Sequence, residues 1–317
     1  MLTIILLLLL AAEPIRPAGT PRLPPPGARG PWDHDLLVYR VSSDLEIKKV
    51  ATFPRGGVAT VARLKDDRLI AAHQHFPEND AANFDKVAAR FSSDDGRTWS
   101  EPEVIRLKGL PEGMRFPFDP TLVPLPDGRV RLYFTSLRGR RFEEDRPQIY
   151  SAISSNGIDY VFEPGVRFGI EGRPVIDCAV TLHKGIFHLF APDNGTGRGA
   201  PPGNGYHAVS NDGLTFTRTN DVRIDGRRRW LGNAQSDGKQ ITFFGTADPG
   251  APGGDGPRSS FWMATSVDGQ SWELLKSPNL MGGDPAAART RDGGLLVIVT
   301  GPPRPGTPSA NRRLPRD

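Results

Sequence analysis

The chain of 317 residues has a single cysteine, Cys178, so no intramolecular disulfide can staple it; stability must come from packing and from the way the fold closes. Charge of one sign is also scarce, with 40 Lys and Arg against 36 Asp and Glu. A net of +4, without a Lys/Arg-rich helix or an aromatic-plus-basic motif, gives no argument for nucleic acid, and no nucleic-acid partner is expected. The longest apolar run, residues 2–12 (LTIILLLLLAA), is too short for a transmembrane helix. Its place and its small-residue end have the shape of a secretory signal, although a positive n-region is missing. There is no phosphate-cradling glycine loop, no serine nucleophile elbow and no zinc signature, so no cofactor and no metal is expected.

Abundant instead are Gly (36) and Pro (31), which suit many short strands joined by turns. Residues 13–34 form a Pro-rich linker and residues 302–317 a tail of similar composition. Between them lies a repeat. Ser92, Asp94, Gly96, Thr98 and Trp99 fit S-x-D-x-G-x-T-W, and three weaker copies centre on Gly157, Gly213 and Gly269, at spacings of 61, 56 and 56 residues. Ser and Asp or Asn side chains bond nearby amides, Gly takes the positive φ and the aromatic packs between sheets, so each copy reads as a structural hairpin turn. A second repeat interleaves with the first. Five strand–turn–strand stretches, at 58–76, 118–137, 176–192, 230–247 and 283–301, carry tight turns at Asp66-Asp67, Asp127-Gly128, Lys184-Gly185, Asp237-Gly238 and Asp292-Gly293.

Two hairpins per unit give four strands, and four-stranded units repeated radially give a propeller. The fifth unit lacks its last two strands after Gly301; residues 35–53, with Ser42-Ser43-Asp44 as a decayed box, can supply them. The expected fold is therefore all-β: a five-bladed β-propeller of four-stranded antiparallel blades over residues 35–301, its ring closed by N- and C-terminal strands. A six-bladed ring would need a further hairpin, and none is found.

The boxes resemble those of sialidases and other Asp-box (BNR repeat) proteins. The five units, with Asp-Pro opening inner strands, are also similar to the furanosidase-type five-bladed glycoside hydrolases. That resemblance implies a site at the inner-strand starts, where acidic residues act as acid and base. Asp119, Asp177 and Asp284 hold equivalent places there, in positions that disfavour Asp, and converging carboxylates raise one another's pKa. Glu171 lies in a nearby connection. Arg55, Arg115, Arg173 and Arg229 occupy corresponding connections and would clamp an anionic group; equally, they could neutralise the three Asp. Arg115-Phe116-Pro117 resembles the Arg-Ile-Pro of sialidases but follows the first box. The late Tyr nucleophile of that family has no counterpart, because the last Tyr is Tyr206.

His73 and His75 share a face at a strand end and could contact sugar hydroxyls, as could Asp193; Trp230 could stack on a sugar ring. The loops 191–205 and 247–257 are long and Gly/Pro-rich, as recognition loops often are. The expectation is a secreted or periplasmic glycoside hydrolase-like protein, monomeric and free of the membrane after signal removal, acting on a carbohydrate that carries an anionic group. The alternative is a non-catalytic propeller binding a glycan or a protein. A third reading is a polysaccharide lyase with Tyr206 or His207 as base.

Overall fold

The computed structural model describes residues 30–139, 142–193, 203–226, 228–247 and 260–304, with isolated positions before them. The signal-like run 1–12, most of the linker, the centres of the two Gly/Pro-rich loops and the tail from 305 onward lie outside the described residues. Among the described residues no helix is long and apolar enough to cross a membrane.

Five small sheets stand in a ring. Blade 1 runs outward through Gly56–Arg63, Leu69–His75, Lys86–Ser92 and Glu103–Val104. Blade 2 comprises Phe118–Pro124, Val130–Ser136, Gln148–Ser154 and Asp159–Phe168, and gains a fifth strand, Arg106–Lys108, which pairs in parallel with the last. In blade 3, Ala179–His183, Ile186–Pro192 and Asn204–Ser210 are followed by an outer strand broken into Thr217–Arg218 and Val222–Arg223. Blade 4 is Arg228–Ser236, Ile241–Ala247, Phe261–Ser266 and Glu273–Leu275. Blade 5 takes Gly283–Arg289 and Leu295–Pro303 from the C-terminal side and His34–Val41 and Ile47–Phe53 from the N-terminal side. His34–Val41 pairs along Leu295–Pro303, so both ends of the chain zip into one sheet, as the missing strands required. The propeller strands thus begin one residue earlier and end two residues later than the expected bounds.

Among the described residues the core is divided. Five apolar layers fill the five seams between blades. Ile70 and Val87 of blade 1 meet Leu132 and Phe134 of blade 2, while Trp230 and Phe243 of blade 4 meet Phe190 of blade 3. The innermost strands carry small side chains near the axis, such as Ala286, Ala287 and Ala288, because five strands converge there.

The box turns seat each blade on the one before it. In blade 1 the Ser92 hydroxyl donates to Asp94 at 2.9 Å and accepts from the Gly96 amide at 2.8 Å, and Asp94 accepts from the Thr98 amide at 2.9 Å. The same serine-to-glycine bond recurs at Gly157, Gly213 and Gly269. All four glycines have positive φ, and a β-carbon on Gly96 would stand 2.5 Å from Leu296 of blade 5. In the decayed fifth copy Leu45 takes the positive φ and the Ser42 hydroxyl accepts from the Glu46 amide.

Candidate functional site

Each inner strand opens with an irregularity. The registers of four blades slip, between Gly57 and Ala59, Phe118 and Thr121, Arg229 and Gly232, and Gly283 and Ala286. Such bulges re-aim side chains. At these places Val58, Asp119 and Asp284 have φ of 39°, 49° and 47°, and Asp177, just before its strand, has 55°. A left-handed residue other than glycine stores roughly 1–3 kcal/mol of strain. Together with Leu231 of blade 4, these residues meet around the axis in a constriction with a cavity of only about 10 Å³.

Above the constriction the channel widens to a bowl of about 590 Å³, with Asp119, Asp177 and Asp284 at its floor. The placement of the three carboxyls follows from the ring. Asp119 and Asp177 stand on adjacent blades, 2 and 3, and both line the constriction and the bowl. Asp284, on blade 5, is separated from each by one intervening blade. The Thr135 hydroxyl accepts from the Asp177 amide at 3.2 Å. Thr246 accepts from the Asp284 amide at 3.1 Å, and the Thr300 hydroxyl donates to the Asp284 carboxylate at 3.4 Å.

Burial raises all three carboxyls above the ordinary aspartate range. Asp119 is pushed up to about 7, mainly by burial and further by the charge of Asp284; Asp177 rises well above its usual value through burial and the two other acids. For Asp284 burial is opposed by the Thr300 hydroxyl and by His34. Burial thus favours the protonated form at all three, and for Asp284 the Thr300 hydroxyl works against it.

The arginines do not neutralise this floor. Arg115 pairs with Asp85 at 2.7 Å and lies over the Phe118 ring at 4.4 Å. Arg55 pairs with Glu78 at 2.9 Å, and Arg173 reaches Asp193 at 3.4 Å and the Tyr206 hydroxyl at 3.2 Å. Among the described residues no arginine forms an ion pair with Asp119, Asp177 or Asp284, and of the expected arginine ring only Arg115 lines the bowl. Arg229 pairs along Thr246 at the start of blade 4. Asp193 accepts the Tyr206 hydroxyl at 2.9 Å at the edge of blade 3. Glu171 is exposed in its connection.

Two expectations are corrected. His73 and His75 do share a face, their rings 5.9 Å apart edge to face, but it is the seam with blade 5, where His73 is fully buried against Phe53. Alternation along the strand points Gln74 into the bowl instead. Burial pushes His73 down to about 3, and its Nδ1 bonds the Gln74 carbonyl at 2.8 Å. Trp230 is likewise no sugar platform; it is fully buried, edge-on to Trp262 and 5.7 Å from Phe190, with its indole N–H donating to the Gly203 carbonyl. In both cases an apolar seam needed large rings more than the rim did.

Sequence reasoning missed His34, Gln74, Thr300 and Pro31, all of which line the bowl. His34 falls at the last position of the Pro-rich linker by composition; its place beside the first closing strand was the available signal. Among the described residues no group of three or more His, Cys, Asp or Glu is arranged to hold a metal ion.

No protein-family model and no curated protein matches the chain. Solved structures do match in fold. A protein of unknown function from Dyadobacter fermentans is 19% identical, covering 76% of this chain and 74% of its own, with a TM-score of 0.53. An alpha-L-arabinofuranosidase from Lactobacillus brevis is 13% identical over 77% of this chain and 83% of its own, TM-score 0.53. The GH43_1 enzyme from Xanthomonas citri, complexed with xylotriose, is 13% identical over 77% and 87%, TM-score 0.53. The chain is a five-bladed β-propeller whose structural neighbours include glycoside hydrolases. At these identities the likeness shows the fold alone.

Proposed function

We propose that this chain is an exported glycoside hydrolase-like propeller that takes a carbohydrate into the bowl and acts on it with Asp119, Asp177 and Asp284. The observation that carries the reading is the convergence of three carboxyls, Asp119 buried and Asp177 and Asp284 half-buried, unpaired with any described cation, on the floor of a bowl large enough for a sugar. Glycoside hydrolysis needs a carboxylic acid to protonate the leaving oxygen and a carboxylate to activate water or attack. Asp119 and Asp177, on adjacent blades and both raised by burial, form the proton-holding side in this reading. Asp284 across the axis is the carboxylate. This division leans to inversion, which requires carboxyls about 6.5–9.5 Å apart.

Export is supported by the apolar run 2–12, and the box turns support kinship with Asp-box, sialidase-like propellers. An anionic group on the carbohydrate would have to displace Asp85 from Arg115 or Asp193 from Arg173. A lyase is disfavoured: burial raises Tyr206 further from use as a base, and His207 is committed to His188 within a seam.

The test is release of sugar by the purified protein from arabinans, xylans, sialosides and uronate-bearing oligosaccharides. Release abolished by Asp284→Asn with folding intact supports the reading. Retention of a glycan without release by the wild type would favour the binding-module alternative, and release that survives Asp284→Asn would overturn the assignment.

A further inference from the structure

Away from the floor, two polar side chains of the bowl share one anchor. Gln74 of blade 1 and Arg115, in the connection into blade 2, both line the bowl. Both are held by Asp85, the residue before the strand Lys86–Ser92. Its two carboxylate oxygens are divided between them: one accepts from Arg115 Nη2 at 2.7 Å and the other from the Gln74 side-chain amide at 3.3 Å. The backbone amide of Asp85 donates to the His75 carbonyl at 3.0 Å, with φ of 58°. Arg115 is fixed as well. Its guanidinium lies over the Phe118 ring at 4.4 Å, its amide donates to the Leu137 carbonyl at 3.0 Å, and its carbonyl accepts the Ser136 hydroxyl at 2.7 Å. One clamp thus spans blades 1 and 2 and presents two groups of opposite kind. With its nitrogen on Asp85, Gln74 offers its carbonyl oxygen, an acceptor; Arg115 offers Nε and Nη1, donors with no acceptor among the described residues.

We propose that Asp85 is the positioning residue that sets the charge preference of the bowl: by holding Gln74 and Arg115 side by side it makes them a reader of sugar hydroxyls, so the site takes an uncharged sugar and rejects one that bears a carboxylate. This rests on the reading of the bowl as a carbohydrate site. A hydroxyl both donates and accepts, so one hydroxyl or two neighbouring ones satisfy the Gln74 carbonyl and the free Arg115 N–H groups together. A carboxylate only accepts. It would set its lone pairs against the Gln74 carbonyl and its charge against Asp85, whose pairing with Arg115 it would have to replace. The floor adds to the discrimination, because the carboxylate and guanidinium side chains lining the bowl are three aspartates and one arginine already shared with Asp85. Lys86, next to Asp85 in the chain, has its ammonium over the Phe116 ring at 4.2 Å. An anionic sugar, expected from the arginine pattern by itself, is thereby disfavoured.

The experiment measures binding of matched sugar pairs that differ only in a hydroxymethyl group against a carboxylate. Methyl glucoside is paired with methyl glucuronide and methyl galactoside with methyl galacturonide, each titrated by ligand-observed NMR against wild type, Asp85→Asn and Asp85→Glu. Asn tolerates the left-handed backbone at position 85 and keeps an oxygen for Gln74, so Asp85→Asn removes the charge and little else. Asp85→Glu keeps the charge on a longer arm. Both members of a pair are read on the same preparation, so a partly folded variant does not change the ratio of their Kd values. The expected result is tighter binding of the neutral member by wild type, a ratio shifted about ten-fold toward the acid in Asp85→Asn, and a return toward the wild-type ratio in Asp85→Glu. Tighter binding of the acid member by wild type, a ratio unmoved in Asp85→Asn, or no binding of any pair overturns the proposal. The titrations also separate it from the function proposed above. The expected ratios without release of sugar from any glycan count against catalysis alone, whereas release of sugar with a ratio unmoved in Asp85→Asn counts against the role of Asp85 alone.

Discussion

Asp119 and Asp177 meet at one constriction from the adjacent blades 2 and 3, although each residue sits in a left-handed backbone conformation that aspartate reaches at a cost. Two acids brought together against burial and against backbone preference are maintained at the expense of stability.

Replacing Asp177 with Asn should therefore stabilise the fold, by about 1–2 kcal/mol at neutral pH. The sign follows from linkage. A carboxyl whose pKa is raised on folding keeps its proton in the native state while the unfolded chain releases it. Stability from that group is full below the unfolded value and is lost as pH rises through the folded one, about 7 for Asp119. Urea unfolding of wild type and Asp177→Asn between pH 4 and pH 8 should show curves that diverge as pH rises; a variant less stable at pH 7.5 would count against a strained acid pair.

The opposite slope is expected from the seam between blades 3 and 4. His188 Nδ1 and His207 Nε2 are 3.1 Å apart, and burial holds the two groups down to about 4 and about 3. The unfolded chain takes up protons near the ordinary histidine value, so stability is lost as pH falls below about 6.5 and continues to fall through 4. Each group should cost about 1–2 kcal/mol between pH 6.5 and 5. His207→Asn should flatten this acid limb in a thermal-melt series, and an unchanged limb would show that other groups carry it.

A pair of glycine substitutions in blade 3 separates turn chemistry from blade docking. Gly213 and Gly185 both have positive φ, and replacing either with Ala carries that backbone cost. A β-carbon on Gly185 meets open space, whereas one on Gly213 would collide with Arg131 of blade 2 and lie 2.7 Å from the Tyr133 hydroxyl. Arg131 cannot step aside easily, because Glu163 holds it through bonds of 2.9 and 3.0 Å. Gly213→Ala should lose about 1–3 kcal/mol more than Gly185→Ala by denaturant titration. Equal losses would mean that the box is a local turn with no docking role.

Trp230→Ala should destabilise by about 3–5 kcal/mol through the cavity it leaves in the seam. Carbohydrate affinity of whatever fraction stays folded should be unchanged by isothermal titration, since the ring is fully buried. A selective loss of affinity would restore the stacking platform.

The architecture was legible because its signals are local. Asp127-Gly128 and Asp292-Gly293 specify tight turns by their own backbone preferences, and the Ser and Asp of each box bond amides within four residues. Repetition of those signals fixed the number of blades, and the shortage of strands after Gly301 fixed the closure. The added strand Arg106–Lys108 was not legible, because its parallel pairing with Asp159–Phe168 depends on a partner some fifty residues away in the chain. The site was half legible. Asp119, Asp177 and Asp284 stood out as acids opening apolar strands, and the structure does bring them to one floor. The roles of the arginines and of His73 and Trp230 were not, because they depend on which face of a strand looks into a seam and which carboxylate lies within reach across it.

The sequence by itself determined the repeat, the turns, the ring and the three acids, since each rests on a residue's own conformational or burial preference. Only the tertiary structure decided that Asp119, Asp177 and Asp284 meet at one floor, that Arg55, Arg115 and Arg173 are already paired, and that His34 from the N-terminal side lines the same bowl as Asp284. Those relations arise from closure of the ring, which sets distances between residues up to 250 positions apart that no local preference encodes.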